Sequence, residues 1–492
     1  MTNQHLFSLA VVLCVTLAVL AANPAAAERL LYSEADIAEY QTRMAGEGPF
    51  YARGDADHGG QWSPNDGERA GQLAAEFLED PSESYWSQPD LPLSAGDEHP
   101  AHGTQNARPM HAAWVYLTQP DHPDREALFD EVKAFLLTHA SDPSLDFGDD
   151  ENYTSSFPGF APSPIFGMAE WMTRVIKARD MLGRRAFTDE ENERFDRWLY
   201  DYANWSFMWA HNQSYGAHLP GRLDRDYSTL GGSFQTPPDD FRHSYDGGPG
   251  IGRAARAYSN RHSTVMAGAS LAANYIKRFD YEAPASDGPY YGLLSVDELV
   301  DHGRLFVEEV LRFSVYPEGF QGDFERGDED HHSTAAPQQG WLYSVNVLQG
   351  LMEIAAYHAA RGDRSVWEYG LTEGHEGTEG SPNDTPGVSG FPEKNLHFFA
   401  WAICRYVNGE WDRENRGEPL ALDHFYHDVI PAAMAHRLAP DDELLEAAWK
   451  REGRDFPPYP QNPQSQGPWS AFYGQGGKYI GVIEHGGVPA IP

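Results

Sequence analysis

Four small groups of residues carry the chemistry this sequence could do. Asn260-Arg261-His262 stands at the expected start of a helix, and His211-Asn212-Gln213 at the expected end of another. Arg326 lies in a Gly-rich turn, EGFQGDFERGD, and Tyr343 one turn into the helix that follows, WLYSVNVLQGL. An amide, a guanidinium, an imidazole and a phenol are what β-elimination next to a carboxylate requires. Asn or Arg neutralises the carboxylate so that the adjacent C–H becomes acidic, a base removes that proton, and an acid protonates the leaving oxygen. A phenol with a pKa of about 10 is a poor base at neutral pH, but a nearby cation such as Arg326 would lower it.

Plainer roles compete for each of these residues. A helix-start Asn is commonly a cap, a lone His a satisfied core residue, and a Tyr at helical spacing a core residue with its hydroxyl at the rim. Arg326 sits among Asp323, Glu325, Asp328, Glu329 and Asp330, where a solvated ion-pair loop would also account for it. Asp328, Asp330, His331 and His332 crowd together, but without a recognised zinc spacing, so neither a metal nor another cofactor is expected. P-loop, dinucleotide and nucleophile-elbow motifs are absent from the sequence.

Charge singles out one stretch. Acidic residues outnumber basic ones 74 to 36, for a net charge of −38. Between Asp246 and Asp280 no acid occurs, while Arg253, Arg256, Arg261, His262, Lys277 and Arg278 all fall inside. Such an island suits an anion, the more so because the helix after Ser259 would present free N–H groups to it. The overall charge argues against a nucleic-acid or anionic-membrane partner. Residues 1–27 lack charged side chains and run from an apolar stretch to Ala25-Ala26-Ala27, the pattern of a signal peptide, which predicts a periplasmic or secreted protein. Only Cys404 then remains, so no intramolecular disulfide is expected.

The elements that must position these residues read as helices. Apolar residues recur at three-to-four spacing in segments starting near Ser33, Asn65 or Asp66, Arg108, Asp121 or Asp124, Ser163, Thr188, Asn260, Ser295 and Gln338, and again near 395–407, 422–438 and 441–451. Thr188 with Glu191 forms a capping box, and Ser295 is an N-cap. The interval 213–259 is long for a connector and is a candidate functional loop, 372–392 is polar and turn-rich, and the last residues could hold one hairpin. About a dozen helices without a heptad seam fit an all-α, (α/α) toroid of about six to seven helix pairs, a single domain over residues 28–492 with an irregular tail.

At its chemical residues the chain resembles a family. NRHSTVMAGASLA is similar to the Asn-His helix start of the alginate-lyase-like polysaccharide lyases of (α/α)-toroid fold, nearest to families 38 and 5, and EGFQGDFER with LYSVNVLQGL resembles their later Arg and Tyr segments. The resemblance implies β-eliminative cleavage of an acidic polysaccharide such as alginate or glucuronan. His262 would be the catalytic histidine, Tyr343 the catalytic tyrosine and Arg326 the arginine at the substrate carboxylate. Arg261 intervenes between Asn260 and His262, so either Asn260 or Asn212 is the candidate amide. Arg253, Arg256, Tyr258, Arg261, His211, His332 and Trp341 are candidates for binding the polymer. The rival readings are a glycoside hydrolase with paired carboxylates, drawing on Asp323 and Glu325, and a non-catalytic binder of acidic sugars.

Overall fold

The computed structural model describes residues 28–34, 37–38, 41, 66–86, 108–147, 163–213, 258, 260–283, 294–322, 336–374, 377–407 and 443. The chain there is helical: α1 (Asp66–Glu79), α2 (Arg108–Thr118), α3 (Arg125–His139), α4 (Ser163–Leu182), α5 (Asp189–Gln213), α6 (Asn260–Arg278), α7 (Val296–Phe313), α8 (Ala336–Ala360) and α9 (Leu396–Val407). Among the described residues there is no strand, only isolated bridges pairing Val315 with Gln321 and Leu371 with Lys394. No helix among them is long and apolar enough to cross a membrane.

The helix starts follow local chemistry. Thr188 Oγ1 accepts the Glu191 N–H at 3.2 Å while the Glu191 carboxylate accepts the Thr188 N–H at 2.8 Å. Ser295 and Glu298 make the same reciprocal pair at α7. Asn395 opens α9, its Oδ1 accepting from Phe398 N at 2.7 Å. Asp124 stands at the N-cap of α3 without a side-chain bond, and Ser163 lies inside the first turn of α4 rather than before it. Helices expected near 422–438 and 441–451, and the hairpin in the tail, lie outside the described residues apart from the helical position 443.

Packing sorts the helices into two layers. Helices two apart in sequence are neighbours, α2 against α4, α4 against α6 and α6 against α8, with α3, α5 and α7 laid over this row. Burial matches the layering. Residues 167–182 of α4, 265–276 of α6 and 344–359 of α8 are buried on every side, whereas α3 keeps an exposed face along its length and α5 and α7 keep one in their first turns, residues 198–207 of α5 being buried too.

Directions follow from contacts at the two ends. Ser263, near the start of α6, meets Gly350 in the middle of α8, and Asn274 accepts from Arg361 Nε (2.6 Å) where both helices end, so these two helices run parallel. Thr173 lies against Gly268 while Arg184, just past α4, covers the Phe279 ring at 4.7 Å, so α4 runs the same way. Gly303 faces Ser270 and Asp297 pairs with Lys277 (2.7 Å), which turns α7 antiparallel to α6. Tyr200 OH on Leu294 O (2.9 Å) and the Phe207–His302 ring pair (5.2 Å) align α5 with α7.

Aromatic side chains and glycines set the spacing of the layers. Trp171 of α4 meets His139 at 4.9 Å, Trp86 at 5.6 Å and Trp198 at 6.1 Å, and each large side chain so buried contributes about 1.5–3 kcal/mol. Along α6, glycine permits close approach. A Cβ on Gly350 would lie 2.7 Å from the Ser263 carbonyl oxygen, and one on Gly303 would lie 2.5 Å from Ser270 Oγ. The turn-rich segment after Leu371 is pinned by the buried Lys394 ammonium, which donates to the carbonyls of Arg312 (3.3 Å), Val315 (3.1 Å) and Thr378. Burial pushes Lys394 down to about 7, with Glu379 pulling toward the charged form and Arg312 against it.

Candidate functional site

Because α6 and α8 are parallel and Ser263 meets residues 346–350, the start of α6 lies beside the middle of α8. The seam between them is closed by Ser263, whose Oγ donates to Asn260 O at 2.8 Å and lies 3.3 Å from Asn346 O. Thr264 Oγ1 also reaches Asn260 O, at 3.2 Å. A third segment is clamped to the same end by Gln321. Its amide donates to Tyr258 O (3.0 Å) and Ser314 Oγ (2.7 Å), and its Oε1 accepts from Ser344 Oγ (3.3 Å). The C-terminal end of α5 arrives there as well, since α5 runs opposite to α6. The start of α6 favours negative charge at this end.

The sequence candidates are distributed unevenly around this seam. Asn260 is 6% exposed and, three residues before Ser263, shares the face that makes the seam. His262 is half-buried and projects about 200° around the helix from Asn260, so the two do not look the same way. Arg261, Trp341 and Tyr343 belong to α6 and α8 by backbone, and His211 and Asn212 to the last turn of α5, but their side chains lie outside the described residues. Tyr343 precedes Asn346 by three positions along α8. Arg253, Arg256, Arg326 and His332, and with them most of the 213–259 loop and the possible metal cluster, lie outside the described residues.

Tyr258, expected among the polymer-binding residues, is placed in the core. It is 2% exposed, its ring stacks with Phe313 at 6.5 Å, and its hydroxyl donates to Glu309 at 3.3 Å. The aromatics Trp198, Trp205 and Phe207 of α5 are core residues too.

The inner helices carry a polar lining that the sequence reading did not single out. On α4 it consists of Glu170, Arg174 and Lys177, and on α8 of Asn346, Gln349, Glu353 and Tyr357, all buried. Gln349 donates to Glu353 (3.1 Å), Tyr357 OH donates to Glu353 (3.1 Å), and Lys177 lies 5.8 Å from the Tyr357 ring centre, joining the two stripes. Burial and the neighbouring Glu353 push the Tyr357 phenol well above its ordinary value, so it stays a donor. The spacing of polar residues three and four apart in otherwise apolar helices, 170, 174 and 177 in α4 and 346, 349, 353 and 357 in α8, is the signal that marks them. Among the described residues no cluster of His, Cys, Asp and Glu is arranged to hold a metal.

No family model, curated protein or solved structure matches this chain. Its function is therefore argued from the site.

Proposed function

We propose that the chain is an exported polysaccharide lyase that cleaves a uronic-acid polymer, alginate or glucuronan, by β-elimination, and that its two-layer helical row is part of an (α/α) toroid. Parallel inner helices overlaid by antiparallel outer ones are the arrangement such a ring is built from, which supports the fold reading. The observation that carries the functional reading is the α6–α8 seam. Residues 83 apart in sequence, Ser263 and Asn346, meet there, and they bring the Asn260 turn beside the turn bearing Tyr343.

In this reading Arg326 with Asn260 or Asn212 neutralises the carboxylate. Tyr343 protonates O4, and Tyr343 or His262 removes the C5 proton. In mannuronate and glucuronate that hydrogen and O4 share a face, so one phenol can serve both; in guluronate they do not, and a second group is needed. The opposed directions of Asn260 and His262 favour the first case, with Tyr343 as both base and acid. Removal of residues 1–27 would leave Glu28 at the new terminus, next to Leu30 and Leu31, which are already buried against α4.

The test is ultraviolet absorbance of purified protein incubated with polymannuronate, polyguluronate and glucuronan, with Tyr343→Phe in parallel. Rising absorbance on one polymer, lost in the variant, is the expected result. New reducing ends without absorbance would replace the lyase by a hydrolase, and affinity without either product would leave a binder.

A further inference from the structure

Asn346 has an unusual position among the described residues. Its side chain is 4% exposed, and neither its Nδ2 nor its Oδ1 has a hydrogen-bond partner; it is the only side-chain amide among the described residues with both atoms in that state. Folded proteins rarely leave a buried amide so, and the exceptions call for an explanation outside the chain's own bonds. The site supplies one. Asn346 is in the α8 turn whose carbonyl meets Ser263 in the first turn of α6, and its Cα–Cβ bond leans toward the side on which α6 begins. The N-terminus of α6, which favours an anion, therefore has an uncommitted amide beside it.

We infer that Asn346 is a ligand-binding amide of this site. Its Nδ2 donates to a carboxylate oxygen of a uronate residue, and its Oδ1 accepts from a hydroxyl of the same sugar. The ligand class rests on the lyase reading; the presence of a polar ligand at Asn346 does not. An amide suits this place better than a second cation would. It offers a donor and an acceptor to one pyranose, which carries carboxylate and hydroxyl groups on neighbouring carbons, and it leaves no charge buried when the site is empty.

Two variants test this by calorimetric titration with oligoglucuronate and oligomannuronate, using an uncharged cello-oligosaccharide as control. Asn346→Asp keeps the outline of the side chain and replaces the donor with a negative oxygen. It is expected to weaken binding of the acidic oligomers at least tenfold. Asn346→Leu removes the unmatched polar atoms, and its ligand-free melting temperature is expected to equal the wild-type value or exceed it by about 2–4 °C, with the same loss of binding. Unchanged binding in Asn346→Asp would overturn the inference, as would wild-type protein that binds none of the acidic oligomers. A melting temperature several degrees lower in Asn346→Leu would also overturn it, by showing that the amide serves the fold through a buried water. Binding that follows these expectations while no polymer gives an absorbance change would remove the lyase reading and leave Asn346 as a sugar-binding residue.

Discussion

The two ends of the inner helices treat buried polar groups differently. At the far end, where α4 and α6 finish, most such groups are joined to one another, Arg179 Nε and the Tyr275 hydroxyl being the exceptions. The fully buried Asp180 accepts the N–H groups of Leu30 (2.6 Å) and Leu31 (2.7 Å), and Arg184 grips Asp196 with two bonds of 3.0 and 2.6 Å. Arg179 donates to Gly183 O (3.0 Å) and to Asn192 while its guanidinium lies 3.6 Å from the Phe187 ring centre. At the near end, Ser263 and Gln321 hold the backbone together but Asn346 is left uncommitted. Paired polar groups locate elements; an unpaired one costs stability without locating anything, and selection keeps such a group where a ligand repays it.

The comparison can be broken most forcefully at Asp180. Replacing it with Ala strips the acceptor from two buried N–H groups and should lower unfolding free energy by about 4 kcal/mol, read from the urea midpoint. Asp180→Asn, which still offers one acceptor, should lose about half of that. If both variants matched wild type, the far end would not be the structural one.

Acid sharpens the contrast next. His139 is buried between Tyr85, Phe135 and Trp171; its Nδ1 donates to Phe135 O (2.8 Å) and its Nε2 accepts from Trp86 N–H (3.3 Å), so only the neutral ring fits. Burial lowers its pKa from 6.5 to about 4. The unfolded chain then binds more protons between those values, so this contribution is present above pH 6.5 and is lost as pH falls toward 4, by about 3 kcal/mol in all. Asp180, raised from 3.8 to about 6 by burial, works in the other direction: its contribution is complete below 3.8 and fades as pH rises through 6. The two partly cancel in wild type. The advantage of wild type over His139→Gln, measured by denaturant titration across this range, should shrink with acid by the stated amount.

A substitution at the near end separates stability from activity. Gly350→Ala would press a methyl group on the Ser263 backbone, at 2.7–2.9 Å, and should cost about 2 kcal/mol by widening the α6–α8 seam. Because Asn260 and the Tyr343 turn stand on either side of that seam, turnover on a polyuronate should fall by tenfold or more at temperatures where the variant remains folded. Full activity in Gly350→Ala would detach the seam from the chemistry. The smallest effect is expected at Ser295→Ala, which loses one cap of α7 away from the seam; a drop of about 1 kcal/mol in the melt and unaltered activity should result.

Much of this molecule was legible residue by residue. The capping pairs Thr188–Glu191 and Ser295–Glu298 are three residues apart, and the start of α6 at Asn260 follows from local periodicity, so each could be read without knowing any neighbour. The partner of Asp180 is some 150 positions away, and that of Ser263 is 83 away. Nothing local marks such pairs. Tyr258 shows the cost of local reading: its place between an Arg-rich loop and a helix pointed to ligand contact, whereas Phe313 and Glu309, brought back by the antiparallel turn of α7, claim its ring and hydroxyl.

What the sequence determined by itself was therefore the inventory: helices and several of their caps, acidic bulk with one basic island, and the residue types that could carry an elimination. Only the tertiary structure decided which helices form the inner row, that α6 and α8 point the same way, and that Asn260 and His262 face apart. The physical reason is that hydrogen-bonded turns and periodic faces are short-range consequences of neighbouring residues, whereas the identity of a buried group's partner depends on which distant faces exclude water together.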